Sequence, residues 1–248
     1  MELITIPFSH FCEKARWGLD RAGVDYTEKG YAPVAHRFAV MPRGSTTAPV
    51  LVDGRRTIRG SSAILELCDT IGDGHAPLFP EDAAARREVE ELVARFDARL
   101  GPTTRLWLYS WLVENPEQLM GLSSIGLAPG QRRRLRRTLP IVGRVLRMAM
   151  KIGPDTHEHC ARRTDEELAF VSERLSDGRP FLVGERFTAA DLTFAALAAP
   201  VLMQPGYGGG AITPPAAPPE LAPAIARWRE TPAGRHGIAI YRDWRAPA

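Results

Sequence analysis

The chain has 248 residues, 32 of them basic and 29 acidic, with 44% hydrophobic and 25% charged side chains. This is the composition of a globular protein long enough for one large or two modest domains, and a net charge of +3 is too small to imply nucleic acid. No apolar run reaches the roughly 18–20 residues of a membrane span; the longest, Ala189 to Met203, is interrupted by Asp191 and Pro200. The N-terminus lacks the basic-then-apolar pattern of a secretory signal. Cys12, Cys68 and Cys160 are odd in number and widely spaced, which fits reduced thiols in a cytoplasm better than a disulfide framework. Apart from Lys14, Lys29 and Lys151 the cations are all Arg, and with the many Ala and Gly residues this suggests a GC-rich bacterial genome.

The first element is a short β-branched run, Leu3-Ile4-Thr5-Ile6, of strand character. Pro7 ends it, the polar cluster Ser9-His10-Phe11-Cys12 follows, and a helical pattern runs on to Gly23. Asp25 to Lys29 reads as a second strand, residues 34–40 as a short helix or irregular loop, and Met41 to Thr47 as loop. Ala48 to Val52 is a strand, Asp53-Gly54 a hairpin turn, Arg55 to Arg59 the returning strand, and Ser61 the expected cap of a helix through Cys68. The order β-α-β-α-β-β-α predicts a small mixed sheet with helices on its faces over residues 1–75.

A linker is expected at 72–80, and from Glu81 the spacing becomes helical. Val89, Leu92, Val93, Phe96 and Leu100 lie on one face, and Trp107, Leu108, Trp111 and Leu112 extend it beyond an expected kink or break at Gly101-Pro102. Thr164 to Glu167 resembles a capping box opening a helix, and Thr188 to Asp191 a second one, with Asp191 as a structural cap rather than an active-site acid. Residues 204–219 read as Gly- and Pro-rich loop, and a last helix is expected over about 220–231. Residues 82–248 are therefore expected to be all-helical. No internal repeat is visible.

A Ser-x-x-Cys step at a helix start is most simply a cap plus a small core thiol. It also has two functional readings. The N-terminus of a helix favours an anion, so Ser9 could hold a bound thiolate. Alternatively Cys12 is itself the nucleophile, its pKa lowered by the helix end. Lowering a thiol from roughly 8.5 to about 6.5 needs about 2.7 kcal/mol of preference for the charged form.

At this point the residues resemble a family. The stretch from Ser9 to Gly23 is similar to the first-strand-to-first-helix motif of the cytosolic glutathione transferases, where Ser, Cys or Tyr precedes or opens the first helix of a thioredoxin-like domain. Thr47-Ala48-Pro49-Val50-Leu51 resembles their cis-proline segment, and Ser61-Ser62-Ala63-Ile64 the step that holds the γ-glutamyl end of glutathione. Phe181 to Leu192 resembles their buried capping-box helix, and Pro219-Glu220-Leu221, Trp228 and Pro232-Ala233 their final helix.

The resemblance implies an α/β plus all-α chain, a thioredoxin-like N-terminal domain with a helical-bundle C-terminal domain and the active site between them. It implies Ser9 as the thiol-activating position and Cys12 as the second position of a redox Cys-x-x-Cys whose first cysteine is replaced by Ser9. His10, Phe11, Ala48, Pro49, Ser61 and Ser62 would contact glutathione, which acts as co-substrate, and no metal is expected. The implied activity is conjugation of the thiol to a small apolar electrophile by a cytoplasmic homodimer. Two positions depart from the family: Gly60 stands where Glu or Gln would pair with glutathione's ammonium, and His10 where Pro is usual. Another small thiol is therefore an alternative to glutathione. Thiol–disulfide or peroxide chemistry at Cys12, and a non-catalytic binding protein on the transferase fold, are the alternatives to conjugation.

Three further features have readings of their own. Trp107, Tyr109 and Trp111 are either core residues or the lining of an apolar co-substrate pocket. His157-Glu158-His159-Cys160 looks like a metal motif without a second cluster and reads as surface loop. Gln131 to Lys151 carries eight basic residues and no acidic one, with Ile141, Val145, Met148 and Ile152 at helical spacing. This segment is read as a solvated face, with a docking surface for anionic partners or peripheral membrane contact as the alternative. The cluster Gly206 to Gly210 follows a helix, against a phosphate loop.

Overall fold

The computed structural model describes residues 1–72, 77–207 and 217–245. Parts of the expected linker at 72–80 and loop at 204–219, including Gly208 to Gly210, lie outside the described residues.

Among the described residues there are four short strands: β1 (Glu2–Thr5), β2 (Thr27–Gly30), β3 (Val50–Asp53) and β4 (Arg56–Arg59). Their order across the sheet is β2-β1-β3-β4, with β1 parallel to β2 and the other pairs antiparallel. Between the strands lie helices α1 (His10–Arg21) and α2 (His36–Val40), and α3 (Ser61–Ile71) follows β4. Leu3, Leu51 and Ile58 on the sheet bury against Ala15, Leu19, Ile64 and Leu67 of α1 and α3, because alternate strand residues face one side. This is the thioredoxin-like domain. The hairpin turn sits one residue later than expected: Asp53 pairs with Arg56, leaving Gly54-Arg55 as the two-residue loop with Gly54 at φ +55°.

Among the described residues helices alone follow: α4 (Ala83–Arg95), α5 (Gly101–Leu112), α6 (Pro116–Ser123), α7 (Pro129–Ala149), α8 (Thr156–Arg174), α9 (Ala189–Leu202), α10 (Ala222–Arg229) and α11 (Pro232–Trp244). Helix α9 is apolar all round and occupies the centre, as such a helix must. Its start is the expected capping box: Thr188 N–H donates to Asp191 Oδ2 at 3.0 Å, and Asp191 Oδ1 accepts from Leu182 N–H at 2.8 Å.

Several expectations are corrected. Of the kink or break expected at Gly101-Pro102, the break does not occur. A π-helical turn over Phe96–Leu100 runs directly into α5, and its wider pitch accommodates a proline that lacks an N–H and crowds the preceding turn. Thr164 opens no helix: it lies inside α8, where its hydroxyl donates to the Cys160 carbonyl one turn back at 2.9 Å. The segment His157 to Cys160 belongs to the same helix, not to a loop; Cys160 is buried, and His157 stacks on Trp107 with ring centroids 5.1 Å apart. The end of the chain forms two helices instead of one, with Thr231 capping α11 through the Gly234 N–H at 2.9 Å. In α7 the buried face is Leu135, Val142 and Leu146, while Ile141 and Met148 point into solvent at 66% and 71% exposure among the arginines.

Candidate functional site

The sheet register fixes where the candidate residues meet. Ile4 pairs with Val50, and Val50 with Arg59, so the end of β1, the start of β3 and the end of β4 share one edge. From that edge come Ser9 and α1, the Ala48–Pro49 segment, and Gly60 with α3. The Ala48–Pro49 peptide is cis, and the Pro49 carbonyl accepts from the Gly60 N–H at 3.1 Å. Two helix N-termini thus open at one edge, where free N–H groups and helix dipoles favour negative charge.

Ser9 is the residue before α1, in extended conformation (φ −75°, ψ 127°) and half-buried, and its side chain caps none of the helix N–H groups. Its position depends on a fastened turn. The Ser9 N–H donates to the Ile6 carbonyl at 2.9 Å, and the buried Arg16 guanidinium donates to the Pro7 carbonyl. Arg16 is held in turn by Glu28 on β2 at 3.4 Å and by Glu13 at 3.5 Å. Arg16 was not singled out as functional in the sequence, where a charge inside an amphipathic helix reads as surface.

Cys12 lies one turn into α1 and is completely buried. Desolvation pushes its thiol up to about 11, against the opposing pull of Arg16, the Ile6 backbone and a hydrogen bond from Ser9. His10 is also buried. Its Nε2–H donates to the Gly101 carbonyl at 2.9 Å, and burial with the nearby Arg105 charge brings its pKa down to about 3, so the ring is neutral. His10 is a strut between the sheet domain and the α5 start. Phe11 packs beside it, ring centroids 4.7 Å apart, over Gly101.

Ser61 is buried and is the first residue of α3, not its cap. The cap is Gly60 at φ +85°, ψ 151°, backbone that favours glycine. A Cβ there would meet nothing within 4 Å, so the place of the family's Glu or Gln is open space. Ser62 points elsewhere. Its hydroxyl accepts from Lys14 Nζ at 2.7 Å and donates to Asp97, whose carboxylate also takes Lys14 at 2.8 and 2.9 Å. Lys14 is fully buried, and this triad joins α1, α3 and the π turn.

Beside the Ser9 corner lies a cavity of about 930 Å³. Phe8, the residue before Ser9, forms its wall on the sheet side; Leu108 and Trp111 of α5, Met203 and Tyr207 line the helical side. The Tyr207 hydroxyl donates to the Phe8 carbonyl at 2.8 Å. Of the three expected aromatic residues only Trp111 borders this space. Tyr109 packs on Phe8 from the core, centroids 6.3 Å apart, and Trp107 is fully buried against Trp228 and His157. Gln204 borders the cavity too, 1% exposed, and neither polar atom of its amide has a hydrogen-bond partner among the described residues. Leaving such a group unpaired costs about 1–3 kcal/mol. Among the described residues no group of three or more His, Cys, Asp or Glu side chains is placed to hold a metal, and no helix is long and apolar enough to cross a membrane.

A thioredoxin-like domain with a cis-proline at its open edge, covered by an all-helical domain across an apolar cavity, defines a two-domain protein of the thioredoxin-fold class. The chain belongs to the glutathione S-transferase superfamily: residues 3–76 match the glutathione S-transferase N-terminal domain and residues 145–235 the C-terminal domain. Solved structures of the same fold include a glutathione S-transferase from Xanthobacter autotrophicus Py2, with TM-score 0.60, 21% identity, and 98% of this chain and 92% of that chain covered. The β-etherase LigF from Sphingobium sp. strain SYK-6 matches with TM-score 0.59 and 17% identity over 96% and 98%. A theta class glutathione S-transferase from Xanthomonas axonopodis pv. citri, solved with glutathione bound, matches with TM-score 0.55 and 20% identity over 96% of each chain. No curated protein gives a significant sequence match.

Proposed function

We propose that the chain conjugates glutathione to an apolar electrophile, with Ser9 holding the thiolate. The observation that carries this reading is the meeting of Ser9, the cis Ala48–Pro49 segment and the Ser61 helix start at one sheet edge beside the cavity. Family membership and the glutathione in a structure of the same fold support it. Glutathione supplies the sulfur nucleophile, which bonds to an electrophilic carbon as the leaving group departs with its electron pair.

The chain's residues do the rest. The Ser9 hydroxyl donates to the sulfur, and the α1 N-terminus favours its negative charge. A charge-assisted hydrogen bond of about 1.5–3 kcal/mol and a helix end of about 0.3–1 kcal/mol suffice to lower a thiol by roughly two pH units. The thiol proton goes to solvent. Ala48 offers its backbone N–H and C=O to the cysteinyl part, and Ser61 with the α3 N-terminus takes a carboxylate. The neutral His10 adds no charge; it holds the first turn of α1 against Gly101. The apolar cavity orients the co-substrate next to the sulfur, which raises the effective concentration of the reactants.

Cys12 supports the alternative of thiol exchange poorly: a buried thiol with a raised pKa has little thiolate to offer. The test is Ser9→Ala, assayed with glutathione and 1-chloro-2,4-dinitrobenzene. A fall of about tenfold or more in kcat/KM is expected from loss of a charge-assisted hydrogen bond. Unchanged turnover, or failure of millimolar glutathione to raise the melting temperature, overturns the reading.

A further inference from the structure

The cavity beside Ser9 is not uniformly apolar, and its polar groups are unevenly spent. Tyr207 donates to the Phe8 carbonyl, and Asn115 Nδ2 donates to the Trp111 carbonyl at 2.8 Å. Gln204 is different: it is 99% buried, borders the cavity, and has both its N–H and C=O unpartnered among the described residues. A buried amide in that state awaits a partner. Its amide lies in the wall, and the terminal torsion of a glutamine is broad enough to turn it toward the cavity. Charge is uneven as well. The described lining includes two carboxylates, Glu117 and Glu220, and no Lys, Arg or His, and neither glutamate forms an ion pair among the described residues.

We propose that this cavity selects a neutral, flat apolar co-substrate bearing an amide-type edge, which Gln204 reads by paired hydrogen bonds, and that it disfavours carboxylates. A primary carboxamide or lactam presents a C=O and an N–H side by side, the complement of the glutamine amide. A tertiary amide accepts but cannot donate. An anion meets two solvent-facing glutamates and no compensating cation among the described lining residues, a like-charge repulsion moderated by solvent screening. This specificity rests on the conjugation proposed above. Phe8 and Trp111 supply the faces on which an aromatic ring lies; Gln204 supplies the orientation.

The test uses one electrophile in three forms: 4-chloro-3-nitrobenzamide, its N,N-dimethyl amide, and 4-chloro-3-nitrobenzoate. In each the carbon–sulfur bond forms, the carbon–chlorine bond breaks, chloride leaves with the electron pair, and the thiol proton is released. Each kcat/KM is divided by the uncatalysed rate constant with glutathione. The wild-type protein is expected to prefer the primary amide over the dimethyl amide by about tenfold, the effect of one to two net hydrogen bonds. In Gln204→Met that ratio falls to about one. The preference over the benzoate is expected to be smaller, about two- to fivefold because both glutamates are exposed, and to shrink in the Glu117→Gln/Glu220→Gln double variant. A wild-type ratio near one, or ratios unchanged in these variants, overturns the proposal.

Binding separates it from the proposed reaction. The unreactive 3-nitrobenzamide is expected to raise the wild-type melting temperature more than 3-nitro-N,N-dimethylbenzamide does. If that difference is seen without any turnover, the cavity assignment stands and the conjugation reading fails. Turnover without amide discrimination has the opposite meaning, and equal shifts from the two amides overturn the cavity assignment even where Gln204→Met does not fold.

Discussion

His10→Gln should flatten the pH dependence of stability between pH 7.5 and 5. His10 is 3% exposed, bonded through Nε2–H to Gly101, and its pKa is lowered from 6.5 to about 3, chiefly by desolvation and then by Arg105. Because the folded value lies below the unfolded one, the unfolded chain takes up the proton first. The contribution is fully present above pH 6.5 and is lost as pH falls toward 3. The whole shift corresponds to about 5 kcal/mol, and the part lost between pH 7.5 and 5.0 is about 2 kcal/mol. Gln at position 10 can still donate to the Gly101 carbonyl but does not titrate. Urea unfolding of both proteins at the two pH values isolates the effect, since His36, lowered to about 4 mainly by burial, and the other titrating groups are common to both. The variant should lose about 2 kcal/mol less than the wild type on acidification. Equal losses, to within about 0.5 kcal/mol, would refute the buried neutral strut.

Gly101→Ala should destabilise by about 1–3 kcal/mol in the same assay, since the added methyl would fall 2.5 Å from the Phe11 ring and 3.1 Å from Leu197. Lys14→Met leaves the Asp97 carboxylate with Ser62 alone; because Asp97 is one-quarter exposed, the cost should be on the order of 2 kcal/mol rather than that of a fully buried broken pair, and Lys14→Met/Asp97→Asn should cost less than the two single changes added together. Cys12, Cys68 and Cys160 are 0%, 3% and 2% exposed, and burial pushes all three thiols up, so an aromatic disulfide reagent should label none of them faster than the chain opens; rapid labelling of one native thiol would contradict this placement.

The sheet domain was legible because its signals are local. A β-branched run, a proline, a serine before a helical stretch and an Asp-Gly turn each act over a few residues, and the errors there are shifts of one position at Ser61 and Gly54 and of two at the starts of β2 and β3. The helical domain was less legible because its local signals are degenerate. Thr-Asp-Glu-Glu at 164–167 opens a helix when the threonine caps it and continues one when the hydroxyl bonds back to residue 160; tertiary burial of Thr164 decides, and the sequence does not show that. The last helix is expected to stop near 231, yet Pro232 takes the first position of a further helix, in which Gly234 lies where any Cβ would collide with the Trp228 carbonyl. The candidate site divides in the same way. Ser9, Ala48–Pro49 and Ser61 were visible from motifs, but Gln204 and the Lys14–Asp97 pair depend on contacts between elements far apart in the chain.

Those distant contacts explain why the Ser9 corner belongs to both domains. Helix α1 carries His10, Glu13, Lys14 and Arg16 buried along its length. His10 and Lys14 end on the π turn and the start of α5, and Glu13 and Asp20 end on Arg245 at 2.9 and 2.8 Å. Trp17 donates from Nε1 to the Trp244 carbonyl at 3.2 Å, so the last helix also closes on α1. A buried charge is tolerated only with its partner in place, and here several of the partners come from the helical domain. The helix whose first turn presents Ser9 is therefore seated by groups that the sheet domain does not contain. Phe8, immediately before Ser9, is likewise tied to Tyr207. A change at α5, at Tyr207 or at Arg245 reaches the Ser9 corner through the seating of α1 and its preceding turn, without touching the cis-proline segment or α3.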